Sequence, residues 1–189
     1  AIRIISANGL LNLKALSFHL GSQIMNMAVF EKALALIKPF YREAQIKCPE
    51  LERLDLGGGI GIDYKNSDSA EDFQRWQKLL AVFEKELKDF DAVFLLEIGR
   101  FLVARSGVLL SRVEIIKETP HKKFIILDVG MTHLIRPALY GAYHEILPLK
   151  LVAGPSQAYD IVGPICESTD VLAEHRVCTP LEEEDFVAI

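Results

Sequence analysis

Three short runs in the first hundred residues combine groups able to hold a ligand: His19-Leu20-Gly21-Ser22, Gly57-Gly58-Gly59-Ile60-Gly61 and Glu97-Ile98-Gly99-Arg100. Consecutive glycines let backbone N–H groups approach an anion closely, because no Cβ stands in the way. The run fits either a phosphate-binding nest or a tight turn with no ligand. It has neither GxGxxG spacing nor a following Gly-Lys-Ser/Thr, so dinucleotide and nucleoside-triphosphate binding are poor readings. His19 is open to two readings, a core histidine or a ring packed on a planar ligand. Glu97 closes the apolar run Val93-Phe94-Leu95-Leu96, where a carboxylate is costly unless paired. Arg100 is one available partner, and a ligand's pyridine nitrogen is another.

The second half carries two further constellations, Asp128-x-Gly130-Met131 with Arg136-Pro137-Ala138-Leu139-Tyr140, and Gly163-Pro164-Ile165-Cys166-Glu167-Ser168. A guanidinium fork such as that of Arg136 suits carboxylates, although an arginine before a turn proline also reads as a surface residue. Cys166 is either a small buried hydrophobe or a loop thiol; Gly163-Pro164 before it and Glu167 and Asp170 after it argue for the loop. Cys166, His175 and Cys178 lack a fourth ligand at suitable spacing, which argues against zinc. His133 and His144 flank the Arg136–Tyr140 motif with no assigned role.

The elements that must position these groups alternate as βα units do. Leu13 to Phe18, Leu51 to Leu56 and Val93 to Glu97 are candidate strands, and each ends at one of the three N-terminal runs. Between them, Ala28 to Ile46 places Phe30, Ala33, Leu34, Ile37 and Tyr41 on one helical face, with Pro39 expected to kink or split it. A second helix, capped by Ser69, repeats Phe73, Trp76, Leu79, Leu80, Phe83 and Leu87. Beyond Arg100 the character changes to strand-like runs at Val108 to Ile116, Phe124 to Asp128 and Tyr159 to Val162. In a parallel barrel, ligands sit at the C-terminal ends of strands, which is where the three runs lie. A complete (β/α)8 barrel needs about 250 residues, so the expected α/β fold is a partial TIM barrel over residues 1–104, followed by part of a β-rich domain over residues 105–189. The acidic run Glu182 to Asp185 reads as a solvated turn before a closing strand.

Half of the 189 residues are hydrophobic, enough for a sizeable core. A net charge of −5 with no basic run disfavours nucleic acid, and no apolar stretch approaches the roughly 20 residues of a membrane span. The N-terminus lacks the features of a secretory signal, and three cysteines without a CxxC pair fit a reducing compartment. The expected location is the cytoplasm.

Taken in order, the five motifs resemble those of pyridoxal-phosphate-dependent decarboxylases of the alanine-racemase-like fold type, within the group acting on diaminopimelate, ornithine and arginine. The resemblance runs from residue 19 to residue 168 and is closest to the diaminopimelate branch. It implies that His19 stacks on the pyridoxal ring, that Ser22 and the loop of Gly57, Gly58, Gly59 and Gly61 hold the phosphate, and that Glu97 pairs with the pyridine nitrogen. Gly99 would add backbone contacts to the phosphate. Arg100, Arg136 and Tyr140 would bind substrate. Cys166 and Glu167 would enter the neighbouring subunit's active site in a homodimer, Cys166 as proton donor or gate and Glu167 on the distal amino group. The implied activity is decarboxylation of meso-diaminopimelate to L-lysine. The alternatives are decarboxylation of ornithine, arginine, carboxynorspermidine or a carrier-linked amino acid, and a non-catalytic homologue that serves as a binding partner.

Two positions depart from the family pattern. Ile98 stands where the family has proline, which removes a fixed φ from the loop. No lysine lies in a Tyr-Ala-x-Lys-Ala-Asn type segment, the context of the family's Schiff-base lysine in an early barrel strand, and the late tyrosine that contacts the phosphate falls beyond Ile189. The 189-residue polypeptide made alone is therefore expected neither to decarboxylate diaminopimelate nor to fix pyridoxal phosphate at one lysine on borohydride reduction. Stoichiometric labelling of a single lysine, with turnover, would contradict this.

Overall fold

A computed structural model describes residues 1–66, 69–150 and 154–189, and the chain divides into two compact units, Ala1–Ser106 and Gly107–Ile189. In the first unit, β1 (Ala15–Ser17), β2 (Arg53–Gly58) and β3 (Val93–Glu97) form a parallel sheet in that order. The helices are α1 (Ile2–Ser6), α2 (Ala28–Lys47), α3 (Ala70–Leu87) and α4 (Gly99–Val103). Parallel neighbours need a crossover, and α2 and α3 supply it between successive strands.

The core of this unit forms where α2 and α3 cover β2. Phe30, Leu34 and Tyr41 of α2 meet Leu54 and Leu56 of β2 and Leu79 and Phe83 of α3. Phe30 and Phe83 pack edge to face at 6.1 Å, and the Tyr41 hydroxyl donates to Leu51 O at 3.3 Å. Burying each such side chain contributes about 1.5–3 kcal/mol. That gain offsets the cost of Pro39, and α2 runs through it without the split that is one of the two expected outcomes.

The α3 stripe also differs from expectation. Phe73 is 56% exposed and Leu80 is exposed, whereas Asp72 is only 3% exposed. Ser69 stands at the N-cap, but its side chain makes no capping bond. What fixes the start of α3 is the Asp72 carboxylate. It accepts from Arg75 Nη1 at 2.7 Å, from Arg105 Nε and Nη2 at 2.9 and 2.7 Å, and from the Asp63 N–H at 3.1 Å. Arg105 also donates to Asp63 O and Asn66 O, and Arg75 to Gly61 O.

The second unit is a six-stranded sheet in the order β6-β9-β4-β5-β7-β8. Its strands are β4 (Leu110–Glu118), β5 (Lys123–Leu127), β6 (Leu147–Pro148), β7 (Gln157–Val162), β8 (Val171–Cys178) and β9 (Phe186–Ala188), with one helix, α5 (Arg136–Tyr140). Neighbours are antiparallel except β5 and β7, which pair in parallel with Ile125 opposite Ile161. Val113, Ile125, Leu127, Tyr159, Ile161, Leu172 and Val187 form its core. The acidic run forms a turn before β9, and Glu184 within it pairs with Arg112 at 2.9 Å.

Burial pushes the Asp72 carboxyl up, but the bonds from Arg105, Arg75 and the Asp63 N–H outweigh burial and hold it below the ordinary carboxylate range. A carboxyl lowered on folding stabilises the protein fully above its unfolded value of about 3.9, and the stabilisation is lost as pH falls further through the folded value. Asp72→Asn leaves two guanidinium groups beside a neutral amide, and it should cost about 3 kcal/mol of unfolding free energy at neutral pH. The deficit relative to wild type should shrink in acid below the unfolded value. Urea titrations across pH would test this, and equal stability at neutral pH would remove Asp72 from the role of clamp.

Candidate functional site

The three N-terminal runs meet through the backbone of β2. Past Leu56 the strand carries no side chains, and its neighbours fill the space. A Cβ on Gly57 would collide with Phe18 O, one on Gly58 with Glu97 O, and one on Gly59 with Gly21 O. Gly57 and Gly59 also lie at φ 68° and 97°, where a side chain is strained. The Cβ position of Gly57 is 3.3 Å from His19 Cα, and that of Gly58 is 3.5 Å from Glu97 Cβ. His19 and Glu97 therefore flank the glycine run on opposite sides, at the C-terminal ends of β1 and β3, the two parallel neighbours of β2.

His19, Ser22, Glu97 and Gly99 are exposed there. The reading of His19 as a core residue is thus corrected: it follows β1 at the solvent edge. Glu97 and Arg100 form no ion pair among the described residues, so the simplest pairing open to Glu97 is not made. Arg100 is half-buried, and its Nη1 is buried without a hydrogen-bond partner among the described residues. A buried, unpaired guanidinium N–H is costly, and an acceptor brought to it would remove that cost.

Not every glycine of the run is free to donate to a ligand. The Gly57 N–H is taken by Asp55 Oδ1 at 2.9 Å and the Gly61 N–H by Ile24 O at 2.9 Å, while Gly58 is registered against Glu97 in the ladder. Among the described residues the Gly59 N–H has no acceptor. The expectation of a donor loop over Gly57 to Gly61 thus narrows to its middle.

In the second unit, α5 carries Arg136 and Tyr140. Pro137 pre-sets the first turn, and Gly141 closes the helix at φ 58°. Tyr140 is 71% exposed. Arg136 is half-buried, and its Nη1 lies 2.9 Å from His144 Nε2, which gives that histidine a partner. Arg176 of β8 donates to His144 O at 2.9 Å and to the Tyr143 hydroxyl at 3.0 Å, so the segment after α5 is tied to the sheet. His133 Nδ1 accepts from the Gly130 N–H at 3.4 Å.

Cys166 and Glu167 are both exposed on the loop between β7 and β8, and Cys166 is a free thiol, in line with the loop reading. The N–H and hydroxyl of Thr169 and the Ser168 hydroxyl donate to Glu167, and they hold its carboxyl below the ordinary range.

The residue that shapes this loop is Asp170, for which the sequence offered only its acidic character. It is 3% exposed and accepts from Met131 N at 2.6 Å through Oδ1 and from Ile165 N at 2.9 Å through Oδ2. One carboxylate thereby ties the Asp128-x-Gly130-Met131 turn to the loop bearing Cys166 and Glu167. Gly130 and Gly163 leave the room it needs, since a Cβ on either would strike the carboxylate.

These features define a class before they define a relative. The chain belongs to the pyridoxal-dependent decarboxylases, matching that family's C-terminal sheet domain over residues 18–189. Among curated proteins it is similar to the diaminopimelate decarboxylase of Vibrio cholerae, 37% identical over 183 residues, covering 95% of this chain and 42% of that enzyme. The structure resembles diaminopimelate decarboxylase from Helicobacter pylori complexed with L-lysine, with TM-score 0.85 and 30% identity over 100% of this chain and 46% of that one. It also resembles the lysine/ornithine decarboxylase from Vibrio vulnificus complexed with cadaverine, with TM-score 0.83 and 25% identity over 99% of this chain and 50% of that one. The chain thus spans less than half of the curated relative's length.

Asp170→Asn keeps the volume of the side chain but turns one acceptor into an NH2 donor facing a backbone N–H. The lost charge-assisted bond and the new clash of donors should cost about 2 kcal/mol. Amide hydrogen exchange at Met131 and Ile165 should accelerate in the same variant. Wild-type protection at both amides would show that the two segments are held by other contacts.

Proposed function

We propose that this chain forms part of a pyridoxal-phosphate-dependent enzyme that decarboxylates meso-diaminopimelate to L-lysine. The observation that carries the proposal is the arrangement of His19 and Glu97 on either side of a side-chain-free glycine run at the ends of three parallel strands. A flat, anionic cofactor needs an aromatic face, a carboxylate for its ring nitrogen and N–H donors for its phosphate. His19, Glu97 and Gly59 with Ser22 supply that set, so the residues present fit the group. The first unit is then read as part of a (β/α)8 barrel.

When bound, pyridoxal phosphate supplies an electron sink for the pair left at the α-carbon as CO2 departs. Glu97 holds a proton on the pyridine nitrogen, which strengthens that sink. The Ser22 hydroxyl and the Gly59 N–H donate to the phosphate, with Gly99 adding backbone contact. Arg100 binds a substrate carboxylate, an assignment supported by its buried, unpartnered Nη1. Arg136 is assigned a substrate carboxylate and Tyr140 a further substrate contact. Arg136 is steadied by His144.

Cys166 and Glu167 act in the neighbouring subunit of a homodimer. The Cys166 thiol delivers the proton that replaces CO2 at the α-carbon, and Glu167, charged through the bonds of its own loop, engages the distal ammonium. Diaminopimelate is favoured over ornithine or arginine because two arginines are assigned to carboxylates and because of the named relatives. All three cysteines are free thiols, which supports a reducing, cytoplasmic setting.

In the intact natural protein supplied with pyridoxal phosphate, meso-diaminopimelate should yield CO2 and L-lysine in equal amounts, faster than ornithine, arginine or carboxynorspermidine is consumed. Preference for one of the others would reassign the substrate, and no turnover of any would favour a non-catalytic binding partner. Cys166→Ala should lower kcat at least tenfold, a loss of about 1.4 kcal/mol of transition-state stabilisation, with cofactor content unchanged. Wild-type kcat in that variant would reduce Cys166 to a surface thiol.

A further inference from the structure

Directly after Ser22, at the edge of the His19–Ser22 run, Gln23 adopts φ 59°, a left-handed conformation that a residue with a side chain occupies only when its surroundings hold it there. The surroundings are the residue directly after the glycine run. Gln23 Nε2 donates to Ile62 O at 2.9 Å, and Gln23 Oε1 accepts from the Ile62 N–H at 3.0 Å. The side-chain amide thus pairs with the N–H and the C=O of one residue, as a neighbouring strand would.

The next residue continues the strip. Ile24 N donates to Gly59 O at 2.8 Å, and Ile24 O accepts from Gly61 N at 2.9 Å, so Ile24 and Ile60 form a parallel bridge. Residues 23–24 and 59–62 are therefore laced by four hydrogen bonds, two of them from one glutamine. On one side of the lacing is the Ser22 hydroxyl, and on the other is the Gly59 N–H.

We propose that Gln23 is a positioning residue that sets the spacing between Ser22 and Gly59, and through it the affinity for the cofactor's phosphate. This rests on the reading above that these two loops hold pyridoxal phosphate. Gln23 touches neither substrate nor cofactor in this assignment. Two phosphate donors on separate loops act together only if their separation is fixed before the ligand arrives, since otherwise binding must also order the loops. The peptide-like pairing also explains why glutamine stands here despite its backbone conformation: glycine would suit φ 59° better but has no amide to reach Ile62.

Three variants of the intact natural protein separate the possibilities. Gln23→Met keeps the length and removes both bonds; Gln23→Glu keeps an acceptor but sets an oxygen against Ile62 O; Gln23→Gly relieves the backbone and removes the lacing. In each, the dissociation constant for pyridoxal phosphate, measured by equilibrium dialysis, should rise roughly tenfold or more, the scale of one lost hydrogen bond. The 31P resonance of the bound phosphate should shift or broaden. Pyridoxal, which lacks the phosphate, should bind the variants and the wild type alike, and kcat at saturating cofactor should stay near wild type. Unchanged affinity and an unchanged 31P resonance in the Met and Gly variants would overturn the proposal, even if they unfold at lower temperature. Equal weakening for pyridoxal and its phosphate would also overturn it, because the effect would then not run through the phosphate. A wild-type protein that binds no pyridoxal phosphate would instead overturn the cofactor reading on which the proposal stands.

Discussion

Past Leu56, β2 runs between two backbones that come too close for any side chain. The carbonyls of Phe18 and Gly21 stand on one side of Gly57 and Gly59, and that of Glu97 stands against Gly58. Everything assigned to cofactor binding follows from this contact. It brings the end of β1 and the end of β3 to the same strip of backbone, so that an imidazole and a carboxylate far apart in sequence flank one glycine run. It also leaves backbone, rather than side chains, between them, with Gly59 half-exposed. Adding one methyl group to any of the three glycines would move a neighbouring strand, not merely crowd a pocket.

The backbone so placed is held by carboxylates that take no part in the proposed chemistry, two of them, Asp72 and Asp170, buried. Asp72 gathers Arg75, Arg105 and the Asp63 N–H, and through the arginines it grips Gly61 O and Asn66 O. Asp170 receives two backbone N–H groups from separate loops of the second unit. Asp55 takes the Gly57 N–H, and Asp128 accepts from the Ser111 hydroxyl and the Arg112 N–H. A carboxylate can accept several bonds at once at fixed angles, and a loop offers backbone N–H groups that must be satisfied. Asp72 and Asp170 each turn a flexible connection into a fixed one at the cost of burying a polar group, which their donors offset.

The parts of this arrangement legible in the sequence were those with a period or a characteristic spacing. The three strands of the first unit read as apolar runs, and Phe30, Ala33, Leu34 and Tyr41 as one helical face, because burial there follows the helical repeat. Glycines after a strand announced a close backbone approach, and the ordered motifs located His19, Glu97, Arg136 and Cys166. Pro39 does not split α2, since the backbone defect it makes is local while the packing of the helix is not. Phe73 and Leu80 fitted the stripe of α3 yet lie exposed, while Asp72 is buried with partners that include residues 63 and 105, separations that no helical period encodes. The strand β8 was missed because its alternation in Val171–Cys178 is interrupted by charge and by His175 at φ 48°. Gln23 and Asp170 carried no signal beyond composition, since their roles lie in which backbone atoms they meet.

That difference has a physical root. Most of the groups assigned here to a ligand are exposed and sit beside glycine, proline or a strand end, features that leave marks in the sequence: His19, Ser22, Glu97, Cys166 and Glu167 are exposed, while Arg100 and Arg136 are half-buried. Groups that hold the ligand-binding loops are half-buried or buried, satisfied by peptide N–H and C=O, and any residue type can supply those partners. Asp170 and Gln23 belong to this second kind. Their neighbours in space are main-chain atoms, so substituting the partner residue leaves the bond intact while substituting the holder breaks it. Such sites are defined from one side only, which is why a reading of residue types finds the chemistry of a site before it finds what keeps that chemistry in place.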